Sequence, residues 1–259
     1  MTNSAYFRDA LERFRTTRAG MLGCSPADFD GHSLVIVDRP ESQPDRFLMM
    51  ALTFGTGTVV AVRPDYTEWV RATAPTDKHY RAMFPNVLLQ PLTEEAARRG
   101  ETAGWRSPNL SFLPASEPVA LSVPAGLRAM PFDLAWRDEQ RPRGEFHNAL
   151  GELDSSEDAG FLYGLAIMDA EMPAAVAGGW EDEDGMVEIG VDVARVYRGR
   201  GLGEVVVTNL SRLIAERGAV PTYYCAPTNV RSHRNAIGSG FLPVASACRA
   251  TITPTPPAN

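Results

Sequence analysis

Cysteine is scarce, with three residues in 259 at positions 24, 225 and 248 and no CxxC pair among them. An odd, scattered set excludes a disulfide framework and a structural zinc site built on paired cysteines. The four histidines never fall at HxxxH spacing, so no metal is expected, and His32 and His79 are expected to be surface or structural residues. No apolar run approaches the roughly 20 residues that span a bilayer. The polar N-terminal stretch lacks the features of a secretory leader. No membrane partner is therefore expected, and the expected location is the cytoplasm. There is no block of Lys or Arg, and the net charge is −7, which argues against a nucleic-acid partner. A cationic substrate such as an amine would be drawn to such a surface. What is present is ordinary globular material, 44% hydrophobic and 22% charged, long enough for one large domain or two small ones with a proper core.

Two phosphate-binding codes are also missing. No GxxxxGK[ST] string occurs, and Gly199, Gly201 and Gly203 make GxGxG, with Glu204 where the dinucleotide fingerprint needs its last glycine. The surrounding stretch is nonetheless the most organised of the chain. Residues 187–193 form an apolar, β-branched run that predicts a mostly buried strand. Arg198-Gly199-Arg200-Gly201-Leu202-Gly203 follows, and Val206, Leu210, Leu213 and Ile214 then repeat at helical spacing up to a capping Gly218. A glycine turn that opens a helix gathers unpaired N–H groups at the positive end of the helix dipole, which is an anion site.

The pattern Arg198-x-x-Gly201-x-Gly203 resembles motif A of the GCN5-related N-acetyltransferases (GNAT). The resemblance continues in order, through a strand at residues 220–225, then Asn229, Ser232 and Gly240-Phe241 at the spacing of motif B. Ala236, a small residue four before Gly-Phe, is similar to the FR47-like subgroup. The likeness covers roughly residues 130–252. It implies acetyl-CoA as cosubstrate, with the diphosphate on the amides of Gly199, Arg200, Gly201, Leu202 and Gly203 and the cation of Arg198. Side chains at Gly201 and Gly203 would keep the phosphates off the backbone. Arg195 is either a further cation or an exposed strand-end residue. The resemblance also implies that Val191 and Val193 offer amides to the pantetheine and thioester. Asn229 is either a pantetheine contact or a helix cap.

For the chemistry, Glu188 is the candidate base on the motif strand, where burial would suit proton abstraction near neutrality, and Asp192 is the second candidate. Relatives often place a tyrosine acid where this chain has Ala236. Ser232 is the candidate substitute, with His233, Tyr223 and Tyr224 as alternatives, or the thiolate leaves without an acid. Cys225 is expected to pack in the core. The implied activity is acetyl or short-acyl transfer to a small-molecule or peptide amine, with a non-catalytic acyl-CoA-binding module as the alternative.

The implied fold is α+β. Residues 126–252 are expected to form an acetyltransferase domain with a mixed sheet, and residues 1–125 a smaller α+β lobe, a diverged acetyltransferase-like half that covers the substrate or makes a homodimer contact. In that lobe the spacing predicts a helix over 4–20 capped by Asn3 or Ser4, and strands at 34–37, 47–53 and 59–62. It also predicts short helices at 65–73 and 93–100 capped by Asp65 and Thr93. Trp69 and Trp105 are expected to pack. Residues 104–126, with four prolines, read as a linker. Beyond it, strands are predicted at 127–136, 161–168, 174–180 and 244–252, a helix at 144–150, and a disordered tail from 253.

Overall fold

The computed structural model describes residues 4–44, 47–151, 160–181 and 185–254, the side chains of residues 85, 105–107, 253 and 254 excepted. The expectations for Asn3, the Trp105 side chain and the tail from residue 255 lie outside them. The chain forms two compact units, one of Met1–Leu11 with Phe112–Pro243 and one of Glu12–Ser111 with Val244–Asn259.

Helix α1 (Ala5–Leu22) begins where Ser4 Oγ accepts the Phe7 N–H at 3.0 Å, and it buries Phe7, Ala10 and Phe14 on one face. The unit containing residues 12–111 holds strands β1 (Leu34–Asp38), β2 (Phe47–Thr53) and β3 (Thr58–Val62). It also holds helices α2 (Thr67–Thr73) and α3 (Gln90–Arg98) and most of the long strands β4 (Glu101–Pro114) and β10 (Phe241–Pro254). Its strand order is β1-β3-β2-β10-β4, with β1 parallel to β3 and the β2 pairings antiparallel. A core of Leu48, Val60, Tyr66, Leu88, Leu92 and Ile252 fills it, with Trp69 packed at the margin.

Several local expectations are corrected. Asp65 does not cap a helix. It pairs with Arg63 at 2.6 Å inside a short 3₁₀ turn, and α2 starts only at Thr67. Helix α3 starts before Thr93, whose hydroxyl bonds back to Leu89 O at 2.9 Å, because Pro91 is tolerated in a first turn. Residues 101–114 are a strand and not a linker. Pro108 and Pro114 bracket a stretch in which Ser111, Phe112 and Leu113 are buried. Leu121, within the same proline-rich segment, is tied to the Asn209 side-chain amide by two hydrogen bonds of 3.0 Å. The last strand begins at Phe241, includes residues 253 and 254, and from Val244 onward belongs with residues 12–111. A division at 125 therefore misplaces it. Its partner is β2, through pairs such as Cys248↔Ala51, and sequence adjacency does not reveal such a pairing.

The other unit holds β5 (Arg128–Pro131), α4 (Leu134–Gln140), α5 (His147–Leu150), β6 (Phe161–Asp169), β7 (Met172–Glu181) and β8 (Met186–Val193). It continues with α6 (Leu202–Ala215), β9 (Val220–Cys225) and α7 (Val230–Gly238). Strand β5 is shorter than predicted because Asp133 accepts the Trp136 N–H at 3.0 Å and starts α4. The strand order is β9-β8-β7-β6-β5, antiparallel except for β8 and β9, which are parallel. Helix α6 packs its apolar stripe on β6, β7 and β8. This mixed sheet with flanking helices is the α+β class expected. No helix among the described residues is long and apolar enough to cross a membrane.

Candidate active site

Strand β8 is paired with β7 from Glu181↔Val187 to Ala175↔Val193. With β9 it pairs only at Met186, Val187 and Glu188. The two parallel strands then part, and the gap is a cleft of about 1030 Å³, lined by Glu188 to Val193, Tyr223 to Cys225 and the glycine loop. The Ala194 N–H donates to Ala174 O of the β7 side at 3.0 Å. Strand alternation therefore turns the N–H groups of Val191 and Val193 toward the edge that β9 has left.

The loop closes one end of the cleft. Gly199 and Gly201 have φ of 76° and 75°, a left-handed conformation that glycine adopts without strain. A Cβ on either would meet nothing within 4 Å. The N–H groups of residues 199–204 donate to no backbone acceptor among the described residues. The first bond into α6 runs from Val205 N–H to Gly201 O at 3.2 Å. Unpaired amides at a helix start suit a phosphate.

Two of these glycines also have a local structural reason of their own. Gly201 is required by its φ. Gly203 is required by packing, since a Cβ there would lie 2.4 Å from Asn235 Oδ1 of α7. The side chain of Arg198 donates Nε to Val193 O at 3.0 Å, which holds it against the end of β8. Arg200 lies over the Tyr197 ring at 5.3 Å and is not among the cleft-lining residues, whereas Arg195 is.

Other predicted residues do converge. Asn229 and Ser232 line the cleft, and Asn229 caps α7 by accepting the Ser232 N–H at 3.2 Å, the capping role weighed above. The hydroxyls of Ser232 and Tyr223 are 2.8 Å apart. Tyr223 is 2% exposed, and burial pushes its phenol up while the Ser232 hydrogen bond opposes the shift. Burial likewise raises the Cys225 thiol, which keeps it protonated and consistent with core packing. Ala236, fully buried, offers no hydroxyl.

The two candidate bases differ. Glu188 lines the cleft but is exposed, not buried as expected. Asp192 is committed to the fold. It accepts the N–H groups of Asn148 and Ala149 at 2.7 and 3.0 Å and the Asn148 side-chain amide at 2.7 Å. Helix α5 is thereby docked on two cross-strand partners, Gly178 and Gly190. A Cβ on these would come within 2.1 Å of Ala149 O and 1.8 Å of Asn148 O. Sequence reasoning missed His147, Asn148, Arg231, Arg234 and Asn235, all of which line the cleft. The only advance signal was the glycine pair, which is visible but carries no address.

Residues 163–235 match the family model described as FR47-like protein. No curated protein matches. A GCN5-related N-acetyltransferase from Kribbella flavida is similar over 95% of both chains, at 19% identity and a TM-score of 0.50. A Drosophila protein of solved structure is similar over 95% of this chain and 89% of its own, at 14% identity and a TM-score of 0.50. A GNAT-family acetyltransferase from Novosphingobium aromaticivorans is 21% identical over 59% of this chain and 67% of its own, with a TM-score of 0.45.

Proposed function

From an FR47-like domain that has the fold of the GCN5-related N-acetyltransferases, we propose an N-acetyltransferase that moves an acetyl or other short acyl group from coenzyme A to an amine in a ternary complex. The observation that supports this most is the junction of two features. A strand edge left unpaired at Val191 and Val193 runs into a cleft-lining loop in which the amides of residues 199–204 have no backbone acceptor among the described residues and Gly199 and Gly201 border open space.

Acetyl-CoA supplies a thioester whose carbonyl carbon the amine attacks, the C–N bond forming as the C–S bond breaks. The loop amides and Arg198 hold its diphosphate. The N–H groups of Val191 and Val193 line the pantetheine path, and one facing the thioester oxygen stabilises the charge that develops there. Glu188, exposed in the cleft, accepts the proton of the amine directly or through water. The Ser232–Tyr223 hydroxyl pair donates to the departing sulfur in place of the tyrosine that Ala236 replaces.

Calorimetric titration with acetyl-CoA, followed by thiol release over an amine panel, tests the reading. The expected result is binding that Gly201→Glu abolishes with the circular dichroism unchanged. Absence of binding at millimolar acetyl-CoA, or unchanged affinity in Gly201→Glu, overturns it.

A further inference from the structure

Alternate residues of β8 serve opposite faces of the sheet. Val193 faces α6, with its Cγ2 placed 3.5 Å from a Cβ built on Gly203. Gly190 and Asp192 face α5, through the notch and the three hydrogen bonds given above. The cleft draws its lining from both faces, so the parting of β8 and β9 opens a passage through the sheet. If the cosubstrate enters on the α6 side, where the glycine loop lies, the acceptor reaches the thioester from the α5 side. This step rests on the acetyl-CoA reading above.

The α5 side presents His147, the one imidazole among the cleft-lining residues. Its orientation follows from a chain of hydrogen bonds. The Asp192 carboxylate can only accept, so the group 2.7 Å from its Oδ1 must be the Asn148 NH₂. The same nitrogen lies 3.1 Å from His147 Nε2. An NH₂ group has no lone pair to offer, so this contact is a hydrogen bond only in the tautomer in which Nε2 accepts and Nδ1 carries the ring hydrogen.

We propose that His147 is the acceptor-recognition residue of the cleft, with its Nδ1–H as a fixed donor for an oxygen on the substrate. The substrate class is then an amine bearing a carbonyl, carboxylate or hydroxyl oxygen near its nitrogen, as in amino acids, their amides and amino alcohols. Asp192 and Asn148 are positioning residues that act through the ring. Glu188 shares this face by strand alternation and remains the proton acceptor, so recognition and proton removal fall to different groups.

The test uses the full chain. In ¹⁵N-resolved spectra of the imidazoles, with His147 assigned by its absence in His147→Gln, the expected result is a hydrogen on Nδ1. In Asp192→Asn that preference is lost. A hydrogen on Nε2 in the unaltered protein overturns the proposal. With acetyl-CoA saturating, glycinamide, glycine and ethanolamine are each compared with propylamine. The oxygen-bearing amines are expected to react with a kcat/KM about tenfold higher. His147→Phe should erase that ratio through KM while the acetyl-CoA Kd stays the same. An unchanged ratio in His147→Phe, or turnover of none of the oxygen-bearing amines by a chain that binds acetyl-CoA, overturns the substrate class. A chain that fails to bind acetyl-CoA sinks the earlier reading instead, and the tautomer measurement still decides the geometry.

Discussion

Glu188 and Thr222 are the last residues at which β8 and β9 pair, while β8 stays paired with β7 as far as Val193. Amide hydrogen exchange should resolve this asymmetry residue by residue. The N–H groups of Val191 and Val193 are expected to exchange fast in the free protein and slowly with acetyl-CoA added. Those of Gly190 and Asp192, on the β7 side, are expected to be slow throughout. Protection of Val191 and Val193 without any ligand would contradict the open edge.

Gly203→Ala should destabilise the protein by about 1–3 kcal/mol, because the new methyl meets Asn235 and overpacks the approach of α6 to α7. Urea denaturation measures it. Asn235→Ala in the same chain should recover part of the loss, a coupling that a purely propensity-based effect would not produce.

Gly201→Ala meets no neighbour within 4 Å, yet its φ of 75° is unfavourable for an L side chain. A cost of about 1 kcal/mol is expected, and Gly201→Asn should cost less. Equal stability of all three chains would show that the turn relaxes.

Asp192→Ala removes the acceptor of three hydrogen bonds that seat α5. The expected loss is about 1–3 kcal/mol, with increased proteolysis near residue 148. If Asp192 acted instead as the base, activity would fall with no change in stability or proteolysis.

Burial pushes the Cys24 and Cys248 thiols from the ordinary value near 9 up to about 11. Below pH 9 both states hold these protons and the stabilisation is fully present. Between pH 9 and 11 the unfolded chain ionises first, so stability is lost as pH rises. The urea midpoint is expected to fall from pH 8.5 to 10.5, and Cys248→Ala should flatten part of that slope. A midpoint that rises over this range would contradict the thiol account.

Spacing along the chain determined what depends on near neighbours. The turn ending at Gly201, the stripe of α6, the β6–β7 hairpin and the Asn229 cap all follow from residues within about one turn or one strand of each other, where conformational preference and periodicity act. Only the tertiary structure decided the rest. Gly203 packs against Asn235, β10 finds β2 almost two hundred residues away, and Asp192 is engaged by Asn148 and Ala149. His147 enters the cleft because two glycines on neighbouring strands leave room for a carbonyl. In each case the partner is chosen by which side chains the sheet brings together, and contacts between distant segments leave no periodic mark on the sequence.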